Sequence, residues 1–320
     1  MKKPYRLIVS LSLLLATVIT LPAQDGFDNN HKWLNRSLMN PAATGNTNYF
    51  EASAIARKQW IGMEGAPGLL FLNAQNLFAP MSSGAGFTLI NDYIGFYNTL
   101  NAKLSYAYHL KLGTKMALSF GLAGGLLTQG RDDASVRLND MAEYAAYERT
   151  LLPDFDTGVE FRYEGIRAGL SALHLNIDSE KVEYAYSRAF NAYASIRVDI
   201  NEMVTIMPLA LVSYTSERFN GESGAIVYFR FPRKSVSLER LDRTVKDRYD
   251  RFWIGANAGW LGNIQAMGGL FITEQWRLGY SFGYTWNLRS VKAATSHEIL
   301  LSWRIKTSEP RRYLCLDDCE

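Results

Sequence analysis

The sequence predicts an all-β fold, an outer-membrane β-barrel of about fourteen antiparallel strands behind a cleaved leader. Three observations predict it: an export signal, side-chain alternation with a period of two, and strands too long for an ordinary soluble sheet. At the N-terminus, Lys2 and Lys3 precede an apolar run from Leu7 to Ile19, and Pro22-Ala23 then gives way to Gln24-Asp25-Gly26. A basic start, a short apolar core and a small residue at the exit make a secretory signal peptide. The run is shorter than the ~20 residues a spanning helix needs. Cleavage is expected near Ala23, and the absence of a cysteine after the apolar run excludes a lipoprotein anchor. Removing Lys2, Lys3 and Arg6 from the 34 basic residues leaves 31 against 31 acidic ones. The mature chain is therefore neutral. It shows neither the basic stripe nor a reader motif of a nucleic-acid binder, so no nucleic-acid partner is expected.

Alternation defines the strands. From 98 to 112 one face reads Leu100, Ala102, Leu104, Tyr106, Tyr108, Leu110, and the other Asn101, Lys103, Ser105, Ala107, His109, Lys111. From 276 to 288 the faces are Trp276, Leu278, Tyr280, Phe282, Tyr284, Trp286 and Arg277, Gly279, Ser281, Gly283, Thr285, Asn287. Side chains of a strand point alternately to opposite faces, so each segment has one apolar and one polar or small face. In order, the segments fall near 50–58, 68–78, 84–94, 98–112, 114–129, 155–164, 166–177, 188–200, 202–215, 223–231, 251–260, 263–273, 276–288 and 296–306. Most exceed the 5–6 residues usual in globular sheets and match the ~9–11 of a tilted spanning strand. A soluble sandwich rarely sustains such lengths. In lipid only a closed sheet leaves no backbone edge unpaired.

The connections alternate in length. Ala79 to Ser83, Gly113, Gly165, Asn201 and Glu274-Gln275 are short and are placed in the periplasm; 59–67, 130–154, 178–187 and 216–222 are longer and are placed outside. Trp60, Phe78, Tyr93, Tyr97, Trp253, Trp260, Trp276 and Trp286 fall near strand ends, as interfacial girdles do. The expected division is a signal peptide over 1–23, a periplasmic N-terminal segment over 24–49, the barrel over 50–306 and a periplasmic tail over 307–320.

Catalytic chemistry is not apparent. His31, His109, His174 and His297 lie on four separate segments without metal-ligand spacing, so no metal is expected. Gly169-Leu170-Ser171 lacks the Gly-x-Ser-x-Gly pattern of a nucleophile elbow. Gly84-Ala85-Gly86 and Gly124-Gly125 open no helix, so no dinucleotide cofactor is expected. A hydrolase built on Ser171, His174 and Asp92 has no supporting spacing, and the chain is read as a non-enzyme. Cys315 and Cys319 are the only cysteines; in an oxidising periplasm they can form a small local disulfide or remain a dithiol.

Two connections could carry interactions. The segment 232–249 is long although it falls on the short-turn side. It holds Arg233, Lys234, Arg240, Arg243, Lys246 and Arg248 against Glu239, Asp242 and Asp247. It reads either as a solvated loop or as a periplasmic docking element. The segment 130–154 is acidic and reads as an outer loop, one folded into the lumen, or a contact for cargo.

Five ordered motifs carry a family resemblance. They are Asn40-Pro41-Ala42 with Gly45; Arg57-x-Gln59-Trp60-x-Gly62 with Gly65-Ala66-Pro67; Asn91-Asp92-x-x-Gly95 with Tyr106-Ala107-Tyr108; Pro153-x-Phe155-Asp156-x-Gly158; and Gly169-Leu170-Ser171-x-x-His174-Leu175. Together they resemble the PorP/SprF family of type IX secretion system membrane proteins of Bacteroidetes. The resemblance implies an integral outer-membrane barrel, in contact with lipid, that serves protein secretion or gliding motility. It implies periplasmic secretion-ring and peptidoglycan-associated proteins as partners, and a large secreted adhesin with a C-terminal sorting domain as cargo. It brings no catalytic residues and no cofactor. The motif residues are read as structural: glycines for tight turns, Trp60 at the interface, Pro67 at the loop exit. A general porin or hydrophobic-solute transporter is the alternative that barrel physics alone would favour.

The intact mass of protein extracted from membranes is expected to fit a chain that starts at Gln24. A mass retaining residues 1–23 would exclude cleavage.

Overall fold

A computed structural model describes residues 29–47, 49–113, 115–131, 150–177, 186–215, 218–232, 248–260, 262–286 and 295–306. The strands are β1 (Tyr49–Gln59), β2 (Gly68–Phe78), β3 (Ser83–Ile94), β4 (Tyr97–Lys111), β5 (Met116–Arg131), β6 (Thr150–Tyr163) and β7 (Ile166–Leu173). They continue as β8 (Ala189–Ile196), β9 (Val198–Asp199), β10 (Val204–Thr215), β11 (Arg218–Pro232), β12 (Arg248–Gly259), β13 (Asn263–Phe271), β14 (Trp276–Thr285) and β15 (Thr295–Lys306). Consecutive strands pair antiparallel, except that β8 and β9 both pair with β10, and β15 pairs with β1 in register from Lys306 opposite Tyr49 to Ser296 opposite Gln59. The sheet is thereby closed. β8 and β9 form one passage interrupted at Arg197, so the wall is a closed barrel of 14 antiparallel strands. The interruption lies opposite Met207 of β10, beside Pro208, which has no N–H to give the ladder.

The wall is inverted relative to a soluble protein. On β4, Leu104 is 68% exposed and points outward, whereas Lys103, at 7%, points into the lumen. On β14, Trp276, Leu278, Tyr280, Phe282 and Tyr284 face out while Arg277 and Ser281 are buried inside. The outward apolar face meets lipid, and the alternation read from the sequence is the alternation of the two faces.

Two strands extend well beyond their expected starts. β6 begins at Thr150 rather than near 155 and so includes Pro153. Its ladder with β7 begins only at Thr157, so Pro153 lies beyond that ladder, where a missing donor is tolerated. β11 begins at Arg218 rather than near 223 because its hairpin with β10 pairs up to Thr215 opposite Arg218. The expected loop 216–222 thus shrinks to two residues between strands. Gly95 and Phe96 likewise join β3 to β4 directly, with Gly95 at φ 55°. The long side is therefore only partly long.

One aromatic assignment fails. Trp253 is 1% exposed and packs inside the barrel, edge-on to Phe271 at 5.6 Å between ring centres. Its inward neighbours Gly269 and Gly279 leave the room its ring occupies. Trp260, Trp276 and Trp286 remain exposed near strand ends.

Leu104→Arg, placing a charge on the outer face, is expected to cost about 2–4 kcal/mol if the site lies near the bilayer midplane. Urea titration of protein refolded in liposomes measures this; an unchanged midpoint would show that the face does not meet lipid.

Candidate functional site: a plugged lumen

Residues 29–47 do not lie below the barrel as a periplasmic segment. They run through its interior. Asn30, Asn40 and Thr44 are fully buried, and Trp33 is 2% exposed. The segment holds only two short 3-10 turns, Arg36–Leu38 and Pro41–Ala43. Its first residues bond the long-loop halves of β11, β14 and β15, and its last residues meet the turn-side ends of β2, β3 and β6.

Three wall carboxylates grip this plug. Glu298, fully buried on β15, accepts the backbone N–H groups of Asn30 at 3.1 Å and His31 at 3.0 Å, and its Oε1 lies 2.5 Å from His31 Nδ1. Glu222 on β11 accepts from Lys32 Nζ at 2.7 Å and from Trp33 Nε1 at 2.9 Å. Glu160, fully buried on β6, accepts from Arg36 Nε at 3.2 Å, Asn46 Nδ2 at 2.6 Å and the Tyr193 hydroxyl at 2.6 Å. Leaving any of these charges without its partner would be expensive, since an uncompensated buried ion costs about 3–5 kcal/mol.

Asn40 organises the turn that follows. Its side-chain oxygen accepts from Ala42 N at 2.8 Å, capping the 3-10 turn that Pro41 opens. Its amide donates to the backbone carbonyls of Val159 at 3.0 Å and Leu170 at 3.2 Å. The inward faces of the surrounding strands are cut back to receive this turn. A Cβ at position 121 would sit 2.1 Å from Ala42 N, and one at 158 would sit 2.0 Å from Asn40 Oδ1. Gly45, at φ 65°, lies against Gly84 and Asn76, where its Cβ would be 2.5 Å from either backbone. These glycines serve close approach to the plug, and the tight-turn reading holds only for the left-handed Gly45 among them.

The second motif, by contrast, shapes the outer rim. Arg57, Gln59, Trp60, Gly62, Gly65, Ala66 and Pro67 end β1 and form its loop into β2. Trp60 adopts φ 46°, and Gly62 and Gly65 adopt φ 94° and 70°. The Gly65 carbonyl accepts from Gly95 N at 2.8 Å, tying this loop to the β3–β4 turn. Asn91 donates to Asn98 Oδ1 at 2.7 Å, and Asp92 is buried facing the charge of Arg57.

Sequence-distant Asp154, Asp156 and His174 converge near the long-loop end, within 4.8 Å of one another. Lys103 fills the space between them: its Nζ lies 2.8 Å from Asp154, 2.7 Å from Asp156 and 3.4 Å from His174 Nδ1. The ammonium thus supplies the positive charge that a metal ion would bring. Ser171 donates to the Met39 carbonyl of the plug, and His174 Nδ1 faces Asp154, so neither is turned toward the other's chemistry. Arg248 opens β12, while Arg233, Lys234, Arg240, Arg243, Lys246, Cys315 and Cys319 lie outside the described residues.

The wall acids and the plug's His31, Lys32, Trp33 and Arg36 were not marked by any motif. A signal for them was present. Asn29, Asn30, Asn35, Asn40 and Asn46 crowd an aperiodic stretch that also carries Trp33, Leu38 and Met39, while glycines stand on the polar faces of nearby strands.

A closed antiparallel sheet with an apolar outer wall and a polar, chain-filled interior is an outer-membrane β-barrel. The chain belongs to the family described as type IX secretion system membrane protein PorP/SprF, whose profile matches residues 24–303. No curated protein matches the sequence. Among solved structures, the chain is similar to the Acinetobacter baumannii outer membrane protein Omp33, at 8% identity and TM-score 0.44, covering 81% of this chain and 99% of that one. It is also similar to a mutant of the TodX monoaromatic hydrocarbon channel, at 8% identity and TM-score 0.48, covering 90% and 97%.

Gly121→Val is expected to displace the plug and give ion conductance in planar bilayers where the unaltered protein is closed. Equal conductance of the two would show that the plug does not seal the lumen. Asn40→Ala is expected to lower stability by about 1–3 kcal/mol through the unmet hydrogen bonds, read as a lower unfolding midpoint in detergent.

Proposed function

We propose that this barrel is an outer-membrane part of the type IX secretion or gliding machinery. In this reading it supports secretion or surface anchoring of large adhesins bearing a C-terminal sorting domain. Its periplasmic side would contact secretion-ring and peptidoglycan-associated proteins. The observation that carries the proposal is the family match over residues 24–303. The plug supports it over the porin alternative, because a lumen threaded by hydrogen-bonded chain suits an assembly and anchoring part better than a diffusion path.

The connection 232–249 is proposed as a periplasmic docking element. It leaves from the short-turn side, and its six basic residues, Arg233, Lys234, Arg240, Arg243, Lys246 and Arg248, outnumber its three acids. The motif at 57–67 is proposed to keep the outer rim in the shape that cargo meets, since its loop is tied to the neighbouring turn. Cys315 and Cys319 are proposed to form a local disulfide in the exported protein.

A clean deletion strain compared with its complemented parent tests the proposal through the secretome. Loss of all cargo carrying the sorting domain identifies a shared component, and loss of one giant adhesin identifies a dedicated partner. An unchanged secretome would overturn the secretion reading.

A further inference from the structure

Lys58 breaks the apolar rule of the outer wall. Its strand, β1, sends Ala52, Ala54 and Ala56 toward lipid, and Lys58 follows them on the same face, one residue from the long-loop end of the strand. Its register partner on β15 is His297, which also faces out. Its partner on β2 is Gly68, across which the ring of Tyr93 lies. Lys58 Nζ donates to the Ala66 carbonyl at 2.8 Å and stands 4.8 Å from the centre of the Tyr93 ring. An ammonium has three donors, so at least one remains. Among the described residues no carboxylate pairs with Lys58; Glu64, in the loop above, is exposed. His297 Nδ1 lies 2.7 Å from the Tyr280 hydroxyl. A hydroxyl donating there leaves the ring hydrogen on Nε2 for an outside acceptor. Lysine and histidine side by side, level with aromatic residues on a lipid-facing wall, stand where lipid headgroups begin.

Below them the wall carries an apolar furrow. Ala56 and Ala54 are flanked by Ile299 and Leu301 on one side and by Leu70 and Leu72 on the other, all four exposed. Methyl groups between larger side chains leave a channel along β1. It closes at Trp303, opposite Ala52, and at Phe50, whose ring meets that of Trp303 edge-on at 6.1 Å. From Lys58 to Ala52 is six residues, about 20 Å of strand and, at the ~40° tilt of a barrel strand, about 15 Å of depth. That is the reach of one leaflet of a ~30 Å hydrocarbon core.

We propose that this face of β15, β1 and β2 binds one phosphate-bearing lipid of the outer leaflet. Lys58 and His297 hold its anionic headgroup, and one acyl chain lies along the alanines. Charge and length both select this occupant: the donors suit a phosphate, and a spanning segment of another protein would need the furrow to continue past Trp303 and Phe50. The site belongs to the wall alone, so its occupancy is tested separately from any role in secretion.

Native mass spectrometry of the full-length exported protein, released from detergent micelles, tests it. The probes are dimyristoyl phosphatidylglycerol and dimyristoylglycerol, which has the same chains and no phosphate. Retention of one phosphatidylglycerol at about tenfold lower concentration than the uncharged lipid is expected. Lys58→Gln is expected to remove most of that margin, as the loss of one charge-assisted hydrogen bond implies. Ala54→Leu, which fills the furrow and leaves the charge, is expected to weaken retention as well, and serves if the first variant does not fold, which heat-modifiable gel mobility reports. Arg188→Gln, at an exposed cation on the long-loop side of β8, is expected to leave retention unchanged. Equal retention of the two lipids would overturn the proposal. So would undiminished retention in folded Ala54→Leu, or a loss in Arg188→Gln equal to that in Lys58→Gln.

Discussion

A barrel in lipid reverses the usual rule of burial, and the rest of this structure depends on how the reversal is satisfied. Apolar side chains can all be sent outward, because the solvent there is hydrocarbon. The interior then collects charges and amides, and bulk water does not reach those that are fully buried. Each needs a partner inside. The plug supplies many of these partners. Glu222 and Glu298 take their charged or N–H partners from Lys32, Trp33, Asn30 and His31 of the plug, and Glu160 adds Arg36 and Asn46 of the plug to Tyr193 of the wall. The wall in turn supplies bonds to a segment too irregular to satisfy its own backbone.

Apolar packing adds to this polar network. Trp33 sits edge-on to Tyr193 at 6.1 Å and belongs to a cluster with Trp253, Met267 and Leu300 from the far wall. The lumen is thus a core in the ordinary sense, built around a strand of coil. The Lys103 cluster shows the same economy at the long-loop end, where one ammonium serves two carboxylates and a histidine.

The barrel was legible because its rule is local. Leu104 and Lys103 face opposite ways whatever the rest of the chain does, so a period of two reveals β4 without knowledge of its neighbours. Boundaries failed where neighbours decided, as at Pro153, which is allowed only because β7 has already ended. The plug was harder to read for the same reason, its crowd of asparagines marking a stretch without saying where it lies. No period marks residues 29–47, and whether Asn40 is a loop residue or a buried cap depends on Gly121 and Gly158, which lie far along the chain. Trp253 misled because an aromatic near a strand end looks alike whether it faces lipid or lumen; only its partners Gly269 and Gly279 distinguish the two.

The plug is joined to β1 through a single intervening residue, and β1 is the strand that meets β15 at the seam. That seam unites the two ends of the barrel sequence, so it is the pairing with the largest loop to close. The plug reaches Glu298 and Glu222 on the C-terminal half and Glu160 and Ser105 on the N-terminal half. It is a spoke across the wheel as well as a stopper in the hub. Its bonds to both halves and the closure of the rim therefore hold the same two ends of the wall together.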